Sequence, residues 1–141
     1  MNEAENNFRL IEVKSENIER NEKNIYQDII SQCNILAFYT KGEVSKLSKL
    51  LEDNEKKEFQ NILDKTENVI TNLHKANENA VNSNEYDLKA KLAEAGSQIS
   101  VIYELMKVMG DKLQVKGYGK VVLLLAKEFL GLSERIAKCN S

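Results

Sequence analysis

The chain has 141 residues, of which 42% are hydrophobic and 30% charged, and its formal net charge is −2. This profile is typical of one soluble globular domain, long enough to bury a core without metal or disulfide support. Proline is absent and only six residues are glycine, so the turn-rich composition of an all-β domain is missing.

The sequence predicts a cytoplasmic protein. The longest apolar run, 121–126, is far shorter than the roughly 18 residues that a membrane-spanning helix needs. The first residues are acidic and polar, whereas a secretory signal has a basic start and an apolar middle. Cys33 and Cys139 lack the spacing of a metal or redox motif, and we expect both thiols to be free.

The N-terminal third predicts an arm followed by a helix. Residues 1–14 mix apolar and polar side chains and are interpreted as a flexible arm or a short helix. A helix is predicted over 15–39, with Gly42 as its stop. Its core face is formed by Ile18, Ile25, Ile29, Cys33 and Leu36.

The middle of the chain predicts further helices. A short helix over 43–52 is followed by Asp53-Asn54, which is either a cap or a mild bend, and by a helix that continues to Val81. A single fused helix over 43–81 is the alternative. The second helix has a narrow apolar stripe of Phe59, Ile62, Leu63, Val69, Ile70, Leu73 and Ala80.

Two more helices complete the predicted fold. Residues 82–84 form a turn by composition, and a helix over 85–109 ends at Gly110, ahead of a glycine-containing loop to Gly119. The last helix covers 120–138. We therefore predict an all-α, antiparallel (up-down) four-helix bundle over 15–141, with the short helix at 43–52 as an optional addition.

The last predicted helix carries an apolar arc of about 200°, roughly twice what a surface helix needs. Such a helix is either central in its own bundle or buried against another molecule. The second interpretation predicts an oligomer or partner interface formed by Val121, Leu125, Phe129, Leu132 and Ile136.

The C-terminal part of the chain is basic, because residues 100–141 contain seven basic and four acidic side chains. Lys120, Lys127, Arg135 and Lys138 fall within about 80° of one another on a helix and are candidate nucleic-acid contacts. Glu128 and Glu134 interrupt this stripe, so a solvated face is the alternative.

No residue pattern predicts catalysis, a metal or a cofactor. His74 lacks companion ligands, and the carboxylates, among them Glu94 and Glu104, fall on polar or boundary positions. The segment from Gly117 to Lys120 lacks the spacing of a phosphate loop and is interpreted as an interhelical turn. Gly96 and Gly131 interrupt apolar helix patterns, which predicts either close helix approach or simple tolerance.

The C-terminal segments Leu92-Ala-Glu-Ala-Gly-Ser-Gln-Ile99, Tyr103-Glu-Leu-Met106 and 124–138 resemble the small four-helix bundle proteins. That group includes the 23S rRNA intervening-sequence proteins and the accessory variability proteins of diversity-generating retroelements. The resemblance implies a homo-oligomeric ring that binds nucleic acid and a reverse transcriptase. The chain departs from the family in its slight acidity and in lacking an aromatic residue near the end of the last helix.

Two functional hypotheses follow. The first is a non-enzymatic, homo-oligomeric accessory or adaptor protein that binds RNA or a nucleic-acid enzyme. The second is a small phage or mobile-element regulator or inhibitor that binds a protein partner without nucleic acid. Both predict a protein partner, no cofactor and no membrane association.

Overall fold

The computed structural model describes residues 22–78 and 85–139, and these form four helices with no strand among them. Helix α1 spans Glu22–Lys46, α2 spans Asp53–Glu78, α3 spans Glu85–Val115 and α4 spans Lys120–Cys139. The all-α prediction is confirmed. The predicted arm over 1–14, the turn over 82–84, Ile18 and Ala80 lie outside the described residues.

The four helices form a bundle around one core. Each helix packs on its neighbours in the chain, and α1 also packs on α4, which closes the ring. At one end, Tyr26 Oη donates to the carbonyl of Leu88 at 2.6 Å. At the other end, Lys116 reaches Glu55 at the start of α2. These contacts place the start of α1 beside the start of α3, and the end of α3 beside the start of α2.

The predicted apolar stripes form the core. Ile25, Ile29, Cys33 and Leu36 of α1 are buried, and the α2 stripe is buried or half-buried in the described residues. α3 contributes Ile99, Ile102 and Met106, which are fully buried. Two threonines are also buried in helices. Thr40 and Thr66 each donate to the carbonyl four residues earlier, so neither hydroxyl is left unsatisfied. No described helix is long and apolar enough to cross a membrane.

Two predicted helix ends are wrong. α1 passes through Gly42 and continues to Lys46, so 43–46 belong to α1. The short helix over 43–52 and the fused helix over 43–81 are not formed, because residues 47–50 make a turn that places Leu47 and Leu51 in the core. The helix also continues through Gly110 to Val115, and a Cβ there would lie 2.6 Å from Leu123 Cδ2. This glycine serves helix packing rather than helix termination.

α2 begins with a capping interaction. The backbone N–H of Glu52 donates to Glu55 Oε1 at 2.9 Å, and the Lys56 N–H closes the first helical turn on the carbonyl of Glu52. A carboxylate at the third helical position that satisfies the N–H of the capping residue is the second half of a capping box. Asp53 and Asn54 are therefore the first helical residues rather than the cap.

α3 ends in a tight turn that leads directly into α4. The N–H of Tyr118 bonds to the carbonyl of Leu113, and the N–H of Gly117 bonds to that of Gln114. This is the Schellman pattern, and Gly117 takes the left-handed conformation it requires, with φ of 93°. A Cβ on Gly119 would overlap the backbone of Gly110 and Gln114. The predicted turn is confirmed, with a shorter extent of 116–119.

Candidate partner-binding surface

The apolar arc of α4 faces the core of its own chain. Leu125, Phe129, Leu132 and Ile136 are buried, and Val121 is half-buried against the core. α4 packs on both α3 and α1, so a wide apolar arc is what this position requires. The prediction that these residues form a partner interface is corrected. The other interpretation of the arc, a central helix, describes the structure.

The predicted basic stripe lies on one helix but is not uniformly available. Lys120, Lys127 and Lys138 are exposed, whereas Arg135 is half-buried and its Nε is enclosed without a hydrogen-bond partner. Glu134 is exposed beside these lysines. α4 therefore presents three lysines and one carboxylate to solvent, which is a weakly positive face.

The titratable groups do not assemble into a site in the described residues. His74, Glu94 and Glu104 are exposed, as predicted, and no group of three metal-ligating side chains occurs in the described parts of the chain. Neither Cys33 nor Cys139 forms a disulfide, as predicted. Burial raises the pKa of the Cys33 thiol to about 12, so it stays protonated at neutral pH.

An open groove of about 460 Å³ lies between α3 and α4. Small side chains form most of its walls, and Ser133 Oγ donates across it to the carbonyl of Gly96 at 3.2 Å. A Cβ on Gly96 would lie 3.0 Å from Ile136 Cγ2, so the predicted close approach of helices is found at this glycine. Its lining contains three serines but no base to activate them.

The outer face of α1 carries an exposed aromatic side chain. Phe38 is 72% exposed, although its ring lies edge-on to Tyr39 with the two centroids 5.7 Å apart. Half-buried Ile35 lies one helical turn before it. We call this outer face the Phe38 surface and define it by Ile35 together with the exposed residues Gln27, Ser31, Asn34, Phe38, Lys41, Gly42 and Ser45.

The Phe38 surface is depleted of charge. From Ile25 onward α1 has eight exposed residues, of which only Lys41 and Lys46 are charged. In α4, four of the five exposed residues are charged, and in α2 it is eight of fifteen. Charge depletion around an aromatic side chain is the composition found at the centre of protein interfaces.

Gly42 gives a second, independent indication at the same place. It follows Phe38 by four residues, so both lie on one face of α1. A Cβ on Gly42 would have no atom within 4 Å, and the residue is within a helix rather than at its end. Glycine in an exposed helix interior costs about 1 kcal/mol relative to alanine. Packing within this chain does not explain that cost, whereas close approach of another chain would.

Comparison with known proteins gives no significant match to a family model, to a curated protein or to a solved structure. The resemblance to the small four-helix bundle proteins therefore stays a prediction.

Phe38 is not among the residues predicted to form a site, although the sequence pattern contains a signal for it. Phe38 lies about half a turn away from the stripe of Ile29, Cys33 and Leu36, and hence on the polar side of the helix. A large aromatic residue on a polar face, four residues before a glycine, could have been noticed. The assumption that the helix stopped at Gly42 removed that glycine from the face.

Proposed function

We propose that this protein is a non-enzymatic interaction protein, which binds another polypeptide through the Phe38 surface. The observation that carries the proposal is the 72% exposure of an aromatic side chain within a helix face that has almost no charge. Aromatic side chains are enriched, and charged residues are depleted, at the centre of protein interfaces, where a few side chains carry most of the binding energy. The titratable side chains described above support the same conclusion, because they are dispersed on the surface or inertly buried.

Affinity capture with a tagged chain tests this proposal. Phe38→Asp places a charge in the middle of the surface, and Val108→Asp makes the same change at an exposed site on α3, where the valine is 54% exposed. We expect the wild type and Val108→Asp to retain the same polypeptide and Phe38→Asp to lose it. Equal capture by all three chains would contradict the proposal.

RNA binding is a second candidate, supported by three exposed lysines on one face of α4. Suppose that each of these lysines, Lys120, Lys127 and Lys138, contacts one phosphate of single-stranded RNA. A plot of the logarithm of the association constant against the logarithm of the salt concentration should then have a slope of about −2. Replacing Lys127 with glutamate should abolish retention. RNA binding unaffected by this change, or none at low salt, would exclude this face as an RNA site.

A further inference from the structure

We propose that the occupant of the Phe38 surface is a second copy of this chain, related by a two-fold axis that passes beside Phe38, perpendicular to α1. The two α1 helices then lie antiparallel with their Phe38 side chains in contact. This inference rests on the proposed function, since it identifies the partner of the same surface. In this one register the Phe38 surface complements itself.

Shape is the first part of that complementarity. With 1.5 Å of rise per residue, a perpendicular two-fold axis brings together residues at equal distances before and after Phe38. Ile35 lies three residues before Phe38 and Gly42 lies four residues after it, on the same edge of the surface. Ile35 of each copy therefore faces Gly42 of the other copy, and the two residues differ by about 1.5 Å in position along the helix axis. A side chain at position 42 would occupy the space that Ile35 needs, which explains the glycine.

Polar and charged groups also match in this register. Ser31 and Ser45 are each seven residues from Phe38, so they meet across the axis. On the edge that carries Ile35, Asp28 lies ten residues before Phe38 and Lys46 eight residues after it. Asp28 of one copy and Lys46 of the other therefore differ by about 3 Å in position along the helix axis, and the dimer contains this pair of opposite charges twice.

The charge pattern also favours α1 over the other helices for such a contact. A two-fold contact uses the same patch twice, so a heavily charged patch must avoid meeting its own charges. About half or more of the exposed residues described in α2, α3 and α4 are charged, whereas from Ile25 onward α1 has two of eight. The exposed valines of α3, among them Val101 and Val108, are interspersed with Glu104, Lys107 and Asp111.

The size of the surface sets the expected strength of the dimer. The Phe38 surface is about 27 Å long from Gln27 to Ser45. The interface would consist of a single pair of α1 helices. An interface of this size is at the lower end of those formed by specific complexes. We therefore expect a reversible dimer, whose population rises with protein concentration.

Sedimentation equilibrium between about 1 and 500 μM tests the dimer. The wild-type mass should rise from 16.1 kDa toward twice that value. Val108→Asp should behave in the same way, and Phe38→Asp should remain monomeric with an unchanged circular dichroism spectrum. A wild-type chain that stays monomeric throughout, or a Phe38→Asp chain that still dimerises, would overturn the proposal.

Gly42→Gln is a second variant that does not depend on the first. Its side chain has free space in the monomer, and removing a helical glycine should raise the thermal midpoint measured at low protein concentration. The same side chain blocks Ile35 of the other copy, so the dimer should weaken about tenfold or more. Higher stability with unchanged association would count against the proposed contact.

Cross-linking tests the antiparallel register. In a Cys139→Ser background the remaining native thiol is Cys33, which is fully buried. A short bismaleimide should join Ser31→Cys chains to Ser45→Cys chains of different tag length. Ser31→Cys chains alone should not cross-link, because the two introduced cysteines would be about 21 Å apart along the helix axis. Cross-linking of Ser31→Cys chains to each other, without the mixed product, would overturn this register.

The combined results separate this inference from the proposed function. A monomeric chain that captures a different polypeptide in a Phe38-dependent manner overturns self-association and leaves the interaction function in place. A monomeric chain with no Phe38-dependent capture overturns both. A larger assembly, such as a ring, that is insensitive to Phe38→Asp also overturns the two-fold dimer.

Discussion

Lys116 Nζ lies 3.1 Å from Glu55 Oε2 and 3.5 Å from Glu52 Oε1, and so joins the end of α3 to the first turn of α2. Glu55 is only 6% exposed, yet its carboxylate is satisfied by the Glu52 N–H as well as by this lysine. One buried carboxylate thus caps a helix and holds two helices together.

Glu55→Ala should lower the free energy of unfolding by about 1 kcal/mol at neutral pH, because the Glu52 N–H loses its acceptor. Urea denaturation measures this change. Glu58→Ala, an exposed position three residues along the same helix, is the matched control and should have little effect. Equal stability of the two variants would show that the cap contributes nothing.

The pH dependence of stability should reflect the same carboxylate. The hydrogen bond from the Glu52 N–H, assisted by Lys116, holds the pKa of Glu55 below its ordinary value. A lowered pKa in the folded state stabilises the protein above the ordinary glutamate pKa, about 4.3, and this contribution is lost as the pH falls through the folded value. Urea denaturation of Glu55→Gln should therefore show a shallower loss of stability below about pH 5 than the wild type. Parallel pH profiles would contradict this assignment.

The turn between α3 and α4 should tolerate no side chain at two glycines. Gly117→Ala forces a positive φ on a residue with a Cβ and should cost about 1–2 kcal/mol. Gly119→Ala overlaps backbone atoms of Gly110 and Gln114 and should cost more, about 3 kcal/mol or above. Gly131→Ala has free space within a helix, so this control should be stabilising by up to about 1 kcal/mol. Thermal denaturation ranks the three variants, and a neutral Gly119→Ala would refute the close contact.

Truncation of two phenylalanines should change the stability by very different amounts. Phe129→Ala opens a cavity in the core and should cost about 3–5 kcal/mol. Phe38→Ala removes a largely exposed ring and should change the stability of the monomer by about 0.5 kcal/mol or less. Denaturation at low protein concentration compares them. If Phe129→Ala lowered the free energy of unfolding only slightly, α4 would again be a candidate partner interface.

The two cysteines should differ in reactivity. Cys33 is fully buried and its thiol pKa is raised to about 12, so thiolate is scarce and access is blocked. Cys139, which is half-buried at the end of α4, should react with a thiol reagent first. In Cys139→Ser, labelling should wait for unfolding in urea. Rapid labelling of native Cys139→Ser would mean that the core opens around α1.

Much of the fold could be predicted because apolar periodicity reports which side of a helix is buried. Spacing alone predicts Cys33, Phe59 and Ile62 in the core, and all three are buried. The predicted ends of two helices are wrong for one physical reason. Glycine ends a helix where the chain needs a left-handed residue, as at Gly117, but Gly110 and Gly42 are helical.

Contacts between helices are harder to predict than the buried face of each helix. The arc of α4 indicated burial correctly, but periodicity does not say which chain supplies the cover, and the neighbouring α1 and α3 supply it here. Lys116 and Glu55 are 61 residues apart in sequence, so their pairing depends on the packing of α3 against α2. Neither feature has a local signature.

The contact of Gly119 with the backbone of Gly110 and Gln114 has a consequence for changes in chain length. One residue inserted between α3 and α4 would separate Gly119 from the backbone of Gly110 and Gln114 and break the hydrogen bonds that set the turn, so α4 would lose its register against α3. Fusions, affinity tags and split sites therefore need to avoid residues 116–119. Related chains that share this hairpin should vary in sequence around the turn, but not in the number of residues that form it.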